Sequence, residues 1–157
     1  MTKKGVTVWT GIQYGNAKAS AESMISNEYV QTGLITGKAW DTICQFIGGS
    51  LSSINASASL TDSRYYGNYR DSLAPANENS GNKRTAGFNE NWKIKNIYDL
   101  AGNVWELTSE IANSSDLINR GGSYYNGGID DPVLYRLCEG ASYTDGDTGF
   151  RLRLYIK

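Results

Sequence analysis

From residue 96 onward the chain carries no helical period. It becomes a series of short strand-like runs cut by glycine: "NVWELTSEI", "LINR" before Gly121–Gly122, "VLYRL", and "GFRLRLYI" after Asp147–Thr148. The last run alternates, with Phe150, Leu152, Leu154 and Ile156 on one face and Arg151, Arg153 and Tyr155 on the other. "NVWELTSEI" sets Val104, Glu106 and Thr108 against Trp105 and Leu107. The first fifty residues read differently. Residues 16–29 predict a helix with Asn16 as N-cap and Ala17, Ala21, Met24 and Ile25 on one stripe. Residues 37–47 predict a second, with Trp40, Ile43, Cys44 and Ile47 at i, i+3, i+4, i+7 spacing and Gly48–Gly49 to end it. "GVTVWT" (5–10) predicts a short strand, and "QTGLITG" a connector. Two early helices followed by a late antiparallel sheet make the class α+β.

Residues 50–91 are polar and aperiodic. A structureless loop of that length is uncommon in a compact domain. Its aromatics, Tyr65, Tyr66 and Tyr69, with Phe88 and Trp92, are expected to pin it, and residues 76–86 to be partly mobile. With 157 residues and 39% hydrophobic content, the chain suits one domain over residues 1–157 with a single core.

The net charge of −1 gives no electrostatic footprint for nucleic acid. No apolar run approaches the ~20 residues of a bilayer span, and no signal peptide is visible, so membrane insertion is not expected. The absence of histidine removes the commonest general base and neutral metal ligand. Cys44 and Cys138 form neither a zinc pattern nor a disulfide framework. Tyrosine and glycine are abundant, 11 and 18 residues against 2 prolines. Tyrosine gives large amphipathic contact area at low entropic cost, and glycine with serine and asparagine lets loops adapt, a composition that binding loops favour.

Four motifs occur in order: "WDTI" (40–43), "NIYDLAGNVWELT" (96–108), "RGGSYYNGG" (120–128) and "TGFRLRL" (148–154). Together they resemble the formylglycine-generating-enzyme-like (sulfatase-modifying-factor) branch of the C-type lectin fold, over roughly residues 5–157. The resemblance implies two helices, an antiparallel sheet and extensive loops. The strands that precede the first helix in that branch have no counterpart here, so the chain is expected to be a compact version or the C-terminal part of a longer protein.

The resemblance implies no required cofactor but a structural calcium in the turn after Tyr98. Its ligands would be the Asp99 side chain, the Gly102 and Val104 carbonyls and the Glu106 carboxylate, oxygens of the kind calcium selects. The alternative is a turn closed by hydrogen bonds, with Asp99 as its cap. The founding activity of the branch is oxidation of a cysteine to formylglycine at a copper held by two cysteines. Cys138 falls near one of those positions, but the other falls near Val133 or Leu134. A sister branch of sulfoxide-synthase type uses iron held by histidines, which this chain lacks. Catalysis is therefore not expected.

The same fold serves as the variable protein of diversity-generating retroelements in phages and bacteria, where the segment between "RGGS" and the last strand carries the diversified residues. Here that segment is 124–147. The expected ligand-binding face is Tyr124, Tyr125, Asn126, Ile129, Asp130, Leu134, Tyr135, Leu137, Glu139, Tyr143, Asp145 and Asp147. The expected partner is a protein or cell-surface ligand, met from a phage virion or from a bacterial surface or secreted location. A lectin-like binder of fixed specificity is the further alternative. The acid–proline–amide triplets of calcium-dependent sugar sites are missing, and "DDPV" does not supply one.

Overall fold

The computed structural model describes residues 4–49, 58–75 and 80–157. In chain order the elements are α1 (Tyr14–Ser23), β1 (Val30–Leu34), α2 (Gly37–Gly48), the one-turn α3 (Ala58–Thr61), β2 (Lys93–Ile94), β3 (Ile97–Tyr98), β4 (Trp105–Ile111), β5 (Asp116–Arg120), β6 (Arg136–Gly140), β7 (Thr148–Phe150) and β8 (Leu152–Ile156). The class is α+β. Four strands form the main sheet in the order β6-β5-β4-β7. Its pairs are antiparallel except β4–β7, which is parallel. A two-stranded ribbon joins β1 to β8, and a second joins β2 to β3.

Register decides what each face of the main sheet meets. Leu107, Asn119, Leu137 and Phe150 are mutual partners on one face; Glu106, Arg120 and Arg136 are partners on the other. Leu107 packs with Ala17 and Ala21 of α1, while Arg120 pairs with Asp41 of α2, so the two helices lie on opposite faces. On the α2 side the core gathers Trp40, Cys44, Leu60, Tyr66, Tyr69, Leu100 and Val133.

The second helix forms as its spacing predicts. Thr36 caps it, its hydroxyl accepting from the Ala39 N–H, and Gly49 ends it at φ 81°. The first helix runs from Tyr14 to Ser23, so Asn16 lies inside the first turn and is not the N-cap. It stops early because Asn27 Oδ1 accepts from the N–H groups of Tyr29 and Val30, which offers the backbone a turn instead of a further helical turn. That turn feeds β1, where a connector was expected.

Residues 5–10 make no strand. Gly5 and Val6 exchange backbone bonds with Ala86, and Thr10 bridges Gly149, so the segment is tied at both ends to different partners. Strand β4 does not alternate either; Val104 to Thr108 are all buried, because helices or loops cover both faces. "VLYRL" becomes strand only from Arg136, since Leu134 and Tyr135 turn their carbonyls toward Arg120. The final run breaks at Arg151: Thr148–Phe150 pairs with β4 and Leu152–Ile156 with β1. Leu154 and Ile156 are exposed; among the described residues β8 pairs with β1 alone.

Of the expected anchors of the long polar segment, Tyr66, Tyr69 and Trp92 are buried, while Tyr65 and Phe88 are exposed. Part of that segment, residues 50–57 and 76–79, lies outside the described residues, including part of the stretch expected to be mobile. Trp105 is buried at the head of β4. Trp105→Ala is expected to cost about 3–5 kcal/mol in chemical denaturation, whereas Trp9→Ala, at a position 59% exposed, leaves the midpoint nearly unchanged.

Candidate ligand-binding face

The turn Asp99–Glu106 is a crossing point of three segments. Gly102 sits at φ +70°, and a Cβ there would lie 2.3 Å from the Asn68 carbonyl oxygen. Its N–H donates to the Gly121 carbonyl at 2.7 Å, which also accepts from the Tyr69 hydroxyl at 2.7 Å. Asn103 donates its N–H to Asn68 O at 2.8 Å, and Asn68 Nδ2 returns a bond to Asn103 Oδ1 at 3.1 Å. Tyr124 N–H donates to Asn103 O at 3.2 Å. The turn therefore fixes where residues 121–124 leave the scaffold. Gly122, at φ +73°, passes so close to the Asp131 carbonyl that a Cβ would lie 2.5 Å from it.

Buried polar bonds hold the backbone of 123–135. Trp40 Nε1 donates to Val133 O at 3.0 Å, and Val133 N–H donates to Ser63 Oγ at 2.9 Å. Arg120, 1% exposed, donates to Leu134 O at 2.7 Å and Tyr135 O at 3.2 Å while its other arm pairs with Asp41. Gly128 N–H donates to Asp71 Oδ1 at 2.8 Å. Ser123 is a hub: its N–H donates to Asn126 Oδ1 at 2.9 Å, and its hydroxyl lies 2.7 Å from both Asn126 Oδ1 and Asp147 Oδ2. One hydroxyl proton serves these two acceptors in turn.

Against this frame the expected face divides. Tyr125, Ile129, Asp130, Tyr135, Tyr143 and Asp145 are exposed, and Tyr124 is half-buried with its ring 4.3 Å from Tyr125. Tyr135 lies over the buried Trp105, centroids 6.1 Å apart. Asn126 and Asp147 are spent inside the loop on Ser123, and Asn126 Nδ2 also donates to Asp131 Oδ2 at 2.7 Å. Leu134 packs on the α2-side core. Leu137 and Glu139 are half-buried on β6, with Asn119 Nδ2 donating to Glu139 at 2.7 Å. Ser123, Arg120, Asn119, Asp71 and Ser63 were not foreseen. Arg120 and Ser123 lie within the "RGGS" motif, which marked them, but their bonding partners are 14 or more residues away or depend on how a loop folds.

Burial, then Asp147 and Asp145, push the Glu139 carboxyl above its ordinary value. Tyr124 is pushed up to about 12 by burial first, then by Tyr125 and the same two aspartates. Cys44 is buried, which lifts its thiol to about 11, and Cys138 is exposed on β6; both are free.

The expected calcium ligands face a built-in cation. Arg151 donates through Nε and Nη2 to both Glu106 oxygens, at 2.8 and 2.6 Å, and through Nη2 to the carbonyls of Tyr98 at 3.1 Å and Asp99 at 3.0 Å. Desolvation opposes its charge, but Glu106 and Asp99 outweigh it and hold its pKa above the ordinary value. Asp99 Oδ2 accepts from the Gly87 N–H, and Gly102 O from the Val104 N–H. The other Asp99 oxygen, Oδ1, is buried without a partner. A calcium ion here would therefore have to draw Glu106 away from Arg151. A cavity of about 300 Å³ borders this cluster, lined by Trp9, Tyr98 and Phe150 among others, and none of its lining residues belongs to 124–147.

A scan against family models and a search of curated proteins find no match. Solved structures do resemble the chain. Variable protein 1 of Treponema denticola superposes with a TM-score of 0.53 at 23% identity, over 78% of this chain. CarF superposes with a TM-score of 0.64 at 15% identity, over 94% of this chain and 67% of its own. The chain spans 47% of the length of the Treponema protein. At these identities the likeness is one of fold.

Arg151→Met is expected to cost about 3–5 kcal/mol, because it strands a buried carboxylate. Calcium added to about 1 mM, or a chelator, leaves the melting temperature of the native chain unchanged; a rise with calcium would show that Glu106 leaves Arg151 for the ion. Carboxyl-resonance titration places Glu139 above 4.5, and Asp145→Asn brings it back toward that value. A raised folded pKa means that Glu139 contributes stability at low pH, lost as pH rises through that pKa.

Proposed function

We propose that the chain is a non-catalytic ligand-display protein of the C-type lectin fold, a variable protein of the diversity-generating retroelement type. The observation that carries this reading is the division of labour within residues 120–147. Tyr125, Ile129 and Tyr135 project outward, while the backbone of 123–135 beneath them is bonded to Arg120, Trp40, Ser63 and the Asn126 side chain; Tyr143 is exposed farther along the same segment. Side chains that make no scaffold bond can be exchanged with little loss of stability, and aromatic side chains on a rigid base are the usual source of binding hot spots. The likeness in fold to a protein named as variable supports the same reading. The ligand is a protein or cell-surface structure, and the chain works on a phage particle or outside a bacterial cell.

Catalysis of the formylglycine type finds no support. The positions near the missing thiolate, Val133 and Leu134, are a buried valine and a core-packed leucine. Cys44 lies in the α2 core with a raised pKa, the opposite of a metal-binding thiolate.

Two measurements test the display reading. Tyr125→Ala with Tyr143→Ala is expected to abolish ligand capture with under about 1 kcal/mol lost, as for surface substitutions generally. Sequencing the 3′ end of the gene across its source population, with flanking DNA, is expected to find substitutions in the codons of 124–147 beside a near-identical template and a reverse-transcriptase gene. An invariant segment without a template returns the chain to a lectin-like binder of fixed specificity.

A further inference from the structure

The proposed face has a charge that the whole chain does not. Residues 123–147 hold five acids, Asp130, Asp131, Glu139, Asp145 and Asp147, and one base, Arg136, within a protein whose net charge is −1. Arg136 is turned to Glu110 of β4, away from them. Asp130 has Arg70 at 3.5 Å, an exposed pair worth little in water. Glu139, Asp145 and Asp147 are close enough to raise the Glu139 pKa together, and among the described residues none of the three is ion-paired. Lys83 reaches the same loop, but its ammonium binds Gly146 O and Thr10 Oγ1 rather than a carboxylate.

Tyrosine rings stand among these carboxylates. The Tyr143 hydroxyl donates to Asp145 Oδ2 at 2.9 Å, and the stacked Tyr124–Tyr125 pair lies within the field of Asp145 and Asp147. The face is thus built from exposed aromatic rings edged by three carboxylates, Glu139, Asp145 and Asp147, that no base among the described residues pairs with. An apolar or acidic partner would leave those carboxylates desolvated and unpaired, at a cost. A partner with guanidinium groups satisfies both parts, since arginine pairs with carboxylates through its fork and stacks on tyrosine.

Resting on the display reading, we infer that the partner of this chain is a protein that presents an arginine-rich basic surface to the Tyr124–Tyr125, Glu139 and Tyr143–Asp145 region. Attraction would operate through both contact and encounter, so association is fast at low salt and slows as salt rises.

The test is selection of a random twelve-residue peptide library on the immobilised full chain, with four variants run beside it: Glu139→Gln, Asp145→Asn, the two combined, and Tyr125→Ala with Tyr143→Ala. Asp147 is left alone because it accepts from Ser123. Melting temperatures confirm that each variant is folded. The expected result is enrichment of peptides rich in arginine, bound about tenfold more weakly by the combined carboxylate variant at low salt and lost with the tyrosine variant. Enriched peptides of neutral or acidic composition that depend on Tyr125 and Tyr143 overturn the basic-partner inference and leave the display reading standing. Peptides that bind the tyrosine variant as well as the native chain overturn the display reading itself. A selection that enriches nothing counts against both.

Discussion

A single buried guanidinium joins the parts of this protein. Arg120 ends β5, is almost sealed from solvent, and reaches in two directions: to Asp41 on α2 and to the carbonyls of Leu134 and Tyr135. A charged side chain in such a place is costly unless it is paired, and here a helix carboxylate and two loop carbonyls take its two terminal nitrogens while Glu110 lies 3.7 Å from its Nε. Without it the carbonyls that close the 131–135 loop would need other donors, and Tyr135 would lose its fixed position over Trp105. The site's geometry is therefore an outcome of core electrostatics, and the exposed side chains contribute little to it.

Arg151 does comparable work on β7–β8. It fastens Glu106 and two turn carbonyls, in the place where the sequence resemblance led to a metal. A guanidinium and a divalent cation are interchangeable in one respect, since both gather carboxylate and carbonyl oxygens around positive charge. They differ in that the guanidinium is covalently present in the chain. Ser123 plays a smaller version of the same part, linking Asn126 to Asp147 through one hydroxyl.

What could be read from the residues follows from the range of the forces involved. The second helix was legible because Trp40 and Cys44 repeat with its period and Thr36 and Gly49 bound it. The late strands were legible as glycine-punctuated runs. The first helix was drawn too long because the asparagine bond that ends it is a side-chain choice, invisible to periodicity. The break at Arg151 was missed because an alternating run looks the same whether it pairs with one neighbour or two. On the candidate face, tyrosines and acids could be located, but not which polar side chains would turn inward. Asn126 and Asp147 turned inward because Ser123 was there to meet them, and that meeting is made by the folded loop rather than by spacing.

The split of the final run has a consequence for how the molecule is made. Val30 pairs with Ile156, and Trp105 with Thr148, so one short stretch near the carboxyl end closes both the ribbon and the edge of the main sheet. Pairings so distant along the chain carry a large loop-closure entropy and slow the search for the native arrangement. On a ribosome, the early helices and β1 would emerge with their partner strand not yet synthesised, and the core between α1 and the sheet would stay open until residues 148–156 were released. Residues 124–147 lie just upstream of that closing stretch, so the exposed loop is made before the pairings that complete the fold around it.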